Sequence, residues 1–178
     1  EIELLLVVCP NSLTRNWLRE GWRWLPHRTT RIVPKDRAEK LEFLSTLHTP
    51  PHILAINYEA LRLEYVLPEI LALAERRRTL LCVDESQRVK NHASKTFQAI
   101  LRVAPACTRR ILLSGTPTPK DLTDIWAQMR LLDDGERFGE LYFNWLKQVA
   151  ELGNEYSDVA LKKFKPGAEV EIISRVRE

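Results

Sequence analysis

Cysteine is scarce in this chain: Cys9, Cys82 and Cys107 are its only three, and they lie far apart. None belongs to a C-x-x-C pair or has a histidine at ligand spacing, which argues against a disulfide framework and a zinc site and leaves reduced, buried thiols as the expectation. Glycine is scarce too. None of the six glycines is followed by lysine, so the phosphate-binding pattern G-x-x-x-x-G-K-[ST] occurs nowhere. No apolar run approaches the roughly 20 residues of a membrane span. The start, EIELLLVVCP, lacks the basic region and small-residue cleavage site of a signal peptide, and a soluble chain is expected. Charge of one sign is not in excess either: 27 Lys and Arg against 24 Asp and Glu leave a formal +3. That balance permits nucleic acid as a partner without indicating it. There is no internal repeat and no low-complexity tract. The absence of an initiator Met before the apolar run Leu4 to Val8 suggests a piece of a longer protein.

What is present is enough for one globular core: 178 residues, 44% of them hydrophobic. Short apolar runs recur at 4–8, 31–33, 53–56, 80–83 and 111–113, a form that suits strands buried on both faces. Segments with helical spacing lie between them. In Ser12 to Leu25, for instance, Leu13, Trp17, Leu18 and Leu25 share a broad face and Ser12 is placed as N-cap. Trp17, Trp22 and Trp24 at that spacing read as core. Alternating strands and helices predict an α/β fold, a parallel β-sheet flanked by helices, with ligands at the carboxyl ends of the strands. Beyond Ser114 a helix is expected from Asp121 to about Leu132, then a turn at Asp134–Gly135. Further helix is expected around Phe138, Leu141, Tyr142, Trp145 and Leu146, and a last one over Ala168 to Arg177. Arg76, Arg77 and Arg78 end a helix and read as a solvated turn.

The stretch LLCVDESQRVKN, 80–91, sets Asp84 and Glu85 at the carboxyl end of a buried strand. Two adjacent acids there suit two roles, one holding Mg²⁺ through water and the other orienting or deprotonating a water that attacks a γ-phosphate. A lone pair of this kind also fits an Asp that caps the following helix, with Glu85 in its first turn. A second junction, ILLSGTPTPKDLTDIWAQMRLLD at 111–133, runs from a strand into a turn with the hydroxyls of Ser114 and Thr116 and the permissive Gly115. Two polar junctions converging on one sheet edge favour a shared site.

With both junctions placed, the chain resembles the Swi/Snf-type ATPases of helicase superfamily two, DNA translocases built on a pair of RecA-like lobes. LLLVVCPNSLTRNWLREGWRWLP at 4–26 resembles their motif Ia, ILAINYEALR at 53–62 motif Ib, VDESQRVKN motif II and LLSGTPTPKDLTDIW at 112–126 motif III. The continuation AQMRLLDDGERFGELYF is similar to bacterial and phage members. The likeness covers residues 4–138 in four ordered motifs. Gln87 stands where many relatives have His, and Lys120 where Asn is usual.

The resemblance implies ATP as substrate and Mg²⁺ as its metal. Asp84 would hold the metal through water and Glu85 would activate the attacking water, with Gln87, Ser114, Gly115 and Thr116 linking nucleotide state to lobe movement. Pro10, Asn11, Ser12, Leu13, Asn57, Tyr58, Lys90 and Asn91 would lie along the backbone of double-stranded DNA, contacts that carry no sequence information. Residues 1–134 would be a partial RecA-like P-loop NTPase lobe without its first strand–loop–helix, and 135–178 a helical extension toward a second RecA-like lobe. The location would be intracellular, in the cytoplasm or nucleoid if the protein is bacterial or phage. The missing strand is expected between the motif II and motif III strands, leaving Leu80–Val83 and Ile111–Leu113 about 10 Å apart across a groove. The chain alone is expected to be inactive toward ATP and to bind DNA weakly. A second function class stays open, a non-catalytic DNA- or protein-binding module derived from such a lobe.

Overall fold

The computed structural model describes residues 1–116, 122–152 and 161–177. Each of the five apolar runs forms a strand: β1 (Leu4–Cys9), β2 (Thr30–Ile32), β3 (Ile53–Asn57), β4 (Thr79–Asp84) and β5 (Arg109–Leu113). They pair in parallel in the order β2-β3-β1-β4-β5. The central strands read as unbroken apolar runs because both of their faces are covered; every residue of β3 is buried, as are Leu6 to Cys9 of β1.

Side-chain alternation divides the sheet into two unequal faces. One carries Leu6, Val8, Leu54, Ile56, Leu81 and Val83 into the large core. That core also takes side chains from α3 (Tyr58–Leu61), α4 (Leu67–Glu75), α5 (Lys95–Val103) and α6 (Asp124–Asp133). Among the described residues the other face gathers Val7, Cys9, Ile53, Ala55 and Cys82, with Leu5, Leu13, Trp17 and Ile32 packed against them. Its cover is α1 (Thr14–Trp24). The inward stripe of that helix is Thr14, Trp17, Leu18 and Gly21, the i, i+3, i+4, i+7 pattern. Gly21 lets the helix close on β2, since a Cβ there would stand 2.4 Å from the Thr30 hydroxyl. Trp22 and Trp24 fall off the stripe and are 57% and 68% exposed, so the reading of all three tryptophans as core fails for these two.

Ser12 does not cap α1. The helix is entered through a 3₁₀ turn at Asn11–Leu13 without a side-chain cap, and the Thr14 hydroxyl donates to the Asn11 carbonyl at 2.9 Å. Capping occurs where the local sequence supplies an acceptor at the right place. Asp36 accepts from the Ala38 and Glu39 amides at the start of α2 (Arg37–Ser45), and Ser94 accepts from Phe97 at the start of α5.

Two further expectations are corrected. No groove separates the motif II and motif III strands: β4 and β5 pair directly, from Leu80 opposite Arg109 to Asp84 opposite Leu113. Pairing satisfies backbone groups that a groove would leave open, and among the described residues β5 is an edge strand, as β2 is at the other side. The C-terminal part is also less helical than its sequence suggests. Phe138 and Leu141 precede α7 (Tyr142–Val149), and an antiparallel pair comes after it, β6 (Ala150–Leu152) with β7 (Leu161–Phe164). The last helix, α8 (Ala168–Arg177), has the expected bounds. Phe138, Trp145, Leu146, Ala168 and Ile172 all join the large core. The expected helix start at Asp121, and Lys120, lie outside the described residues.

Candidate active site

β4 delivers Asp84 to the carboxyl end of the sheet, in register with Leu113. The chain then leaves the strand through Glu85 in the left-handed region, φ 54° and ψ 49°, a conformation that a non-glycine residue keeps only where its surroundings hold it. The loop beyond Glu85 is anchored firmly enough to do so. The Ser86 hydroxyl, buried, donates to Gln128 Oε1 at 2.7 Å, and Lys90 pairs with Asp124 at 2.8 Å, so α6 fastens the loop at two points. Val89 is fully buried between those two points.

The second polar junction meets the first through one side chain. Ser114 Oγ donates to Gln87 Oε1 at 2.8 Å, and Gln87 Nε2 donates to Glu85 Oε2 at 2.6 Å. The Thr116 amide donates to Ser114 Oγ at 3.0 Å. Glu85, Gln87, Ser114 and Thr116 thus form one hydrogen-bonded line from β4 to the turn after β5. The two partners fix the orientation of the Gln87 amide, since its NH₂ must face the carboxylate and its oxygen the hydroxyl. Gly115 is exposed within this turn with open space around its Cα.

Asp84 faces the other way. Its Oδ2 accepts from the Trp17 indole N–H at 2.8 Å, its Oδ1 from the Glu85 amide at 2.9 Å, and its backbone carbonyl from the Tyr58 hydroxyl at 2.5 Å. Each carboxylate oxygen retains acceptor capacity beyond these bonds. Among the described residues no three His, Cys, Asp or Glu side chains gather into a ligand cage. A half-exposed carboxylate without a cage fits hydrated Mg²⁺, which takes one or two carboxylates and keeps its waters. The neighbouring thiols are not nucleophiles: burial, and then the negative charge of Asp84, push Cys9 and Cys82 up to about 12.

The residues expected along DNA divide into two groups. Asn11, Ser12 and Asn91 are exposed, and Pro10, Asn11 and Ser12 border a groove of about 590 Å³ whose cations are Lys35, Lys40 and Arg88. Lys40 is only 5% exposed, with its ammonium donating to the Lys35 carbonyl at 3.1 Å. Leu13 packs under the sheet, and Asn57, buried, caps α3 by accepting from the Ala60 amide. The Tyr58 side chain is 3% exposed and committed to Asp84, so as a direct phosphate contact it is corrected. The Lys90 ammonium is held by Asp124. Sequence reasoning missed Trp17, Lys35, Lys40, Arg88, Asp124 and Gln128 as members of these sites. Only Trp17 carried a usable signal, because a half-buried indole N–H requires an acceptor.

A five-stranded parallel sheet with acids at the end of an inner strand, bonded to the turn of its neighbour, is the arrangement of a RecA-like lobe. The model of the SNF2-related domain matches residues 2–158, and the chain belongs to that family. It is 33% identical over 135 residues to the human DNA repair and recombination protein RAD54B, covering 75% of this chain and 14% of that protein. To the mouse DNA repair and recombination protein RAD54-like it is 34% identical over 143 residues, covering 76% and 18%. Among solved structures it is similar to the Sulfolobus solfataricus SWI2/SNF2 ATPase core in complex with dsDNA, with a TM-score of 0.65 and 27% identity over 83% of this chain and 28% of that one. The chain therefore spans less than a fifth of the length of these two curated relatives.

Proposed function

We propose that this chain is the front lobe of an ATP-dependent translocase on double-stranded DNA. The observation that carries the reading is the line Glu85–Gln87–Ser114, which joins a water-activating carboxylate to the turn after the adjacent strand. Glu85 orients the attacking water and takes its proton. Gln87 reports the state of that carboxylate to Ser114, and through it to the turn of Gly115 and Thr116. Asp84 is the residue that would hold Mg²⁺, which when bound neutralises charge on the β- and γ-phosphates. The phosphate cradle and the second RecA-like lobe come from other parts of the full-length protein, as the greater length of the relatives allows.

DNA lies along the groove of Asn11, Ser12, Lys35 and Arg88, met through its phosphates rather than its bases. Residues 1–178 alone are inactive, because positioned acids without a phosphate cradle or an arginine finger, itself worth on the order of 10³-fold or more, leave little catalysis. The test compares phosphate release by the full-length protein and by residues 1–178, with and without duplex DNA. DNA-stimulated turnover by the first and none by the second supports the reading. Turnover by residues 1–178, or none by the full-length protein, contradicts it.

A further inference from the structure

Asp84 is gripped by two side chains from distant parts of the chain, and each follows groove-lining residues in sequence, Asn11 and Ser12 before Trp17 and Asn57 before Tyr58. Trp17, 67 positions away, donates to Oδ2; Tyr58, 26 positions away, donates to the backbone carbonyl. Trp17 sits one helical turn beyond Thr14, whose hydroxyl ties α1 to the Asn11 carbonyl in the exposed turn at Asn11–Leu13. Tyr58 directly succeeds Asn57, whose amide reaches Asn11 Oδ1 at 3.5 Å. The ends of β1 and β3 thus approach each other at Asn11 and Asn57, on the rim of the groove, and the next helices along the chain hold Asp84, α1 at its carboxylate and α3 at its backbone carbonyl.

Both grips are stiff. Tyr58 is 3% exposed and packed within the large core, which holds its hydroxyl in place. Trp17 is wedged against the small core of Val7, Cys9 and Cys82, a packed unit that passes on a displacement of α1 instead of absorbing it. Neither residue reaches the line Glu85–Gln87–Ser114, which connects to a different strand end.

We infer that Trp17 and Tyr58 are positioning residues that couple engagement of the DNA backbone at Asn11 and Asn57 to the carboxylate of Asp84. The inference rests on the function proposed above and adds a route distinct from the Gln87–Ser114 line. A phosphate drawn onto the Asn11 turn shifts α1 and the end of β3 together. The two hydrogen bonds then hold Asp84 in one orientation toward the metal.

Coupling of this kind is a reciprocal free energy, typically about 5-fold to 150-fold in affinity, and is measurable without turnover. In the full-length protein, the affinity for Mg²⁺ with adenylyl imidodiphosphate is measured with and without duplex DNA, for wild type, Trp17→Phe, Tyr58→Phe and Glu85→Gln. Wild type is expected to bind the nucleotide at least about 5-fold more tightly on DNA. Trp17→Phe and Tyr58→Phe, which remove one donor each and keep an aromatic ring, are expected to bring that ratio to within about twofold of unity. Glu85→Gln serves here only as a second measure of nucleotide binding. Tyr58→Phe loses a single oxygen, so the result does not depend on one variant folding. Wild-type ratios in both ring variants, or no ratio in wild type, overturn the inference. Failure of the proposed function appears separately, as absence of nucleotide binding in wild type and Glu85→Gln alike.

Discussion

The two faces of the sheet do different work. The large face packs Leu6, Leu54, Ile56, Leu81 and Val83 against helices that contribute Phe97, Ile100 and Trp126, all of them almost wholly buried. The small face has five buried residues under α1, and its cover thins toward β5, where Ile111 and Leu113 are 43% and 39% exposed. Asp84 alternates onto the small face with Cys82, and its carboxylate meets Trp17 there, whereas Ser86 turns back to Gln128 on α6. Stability is thus concentrated on one side, and the Asp84 carboxylate stands on the other, held by the Trp17 indole.

Substitutions should separate the two. Phe97→Ala, in the large core, is expected to lower the unfolding free energy by about 3–5 kcal/mol, read from denaturant titration. Ile111→Ala on the exposed strand should lower it by less than about 1 kcal/mol, and a loss as large as that of Phe97→Ala would show that the small face carries as much of the fold. Between these extremes lies Ser86→Ala, which removes the buried hydroxyl that donates to Gln128 Oε1 and should cost about 1 kcal/mol. The same change loosens the loop that holds Glu85 left-handed, so in the full-length protein it should reduce turnover more than nucleotide affinity.

The smallest expected effect is a pH dependence at the rim of the large face. His92 stacks on Tyr142 with ring centroids 4.0 Å apart, and burial holds its imidazole below the ordinary 6.5. A depressed folded-state value favours the neutral ring, so its contribution is complete above about pH 6.5 and is lost as the pH falls through the lower, folded-state value. His92→Gln should flatten the stability profile across that interval. An unchanged acid slope in the variant would place the pH dependence elsewhere.

The five strands and the acids at the end of β4 were legible because a strand buried on both faces must be a continuous apolar run, and carboxylates behind such a run are conspicuous. Strand order was not legible. The run at 111–113 announces a strand, but nothing in it says that the strand's partner is β4. Helical spacing grouped Trp17, Trp22 and Trp24, yet the inward stripe of α1 passes through Gly21, a residue whose packing role depends on Thr30 of a later strand. The pair β6 and β7 was missed because segments such as Ala150–Leu152 are too short to declare a period. The bonds of Trp17 to Asp84 and Lys90 to Asp124 join residues that only the fold makes neighbours.

The central claim, that Glu85 activates the attacking water, is tested most directly by phosphate release from the full-length protein carrying Glu85→Gln, on duplex DNA. The amide still accepts a hydrogen bond but cannot take a proton. Turnover should fall by about 10²-fold or more while Mg²⁺–nucleotide binding persists. Unimpaired turnover by Glu85→Gln would contradict the account.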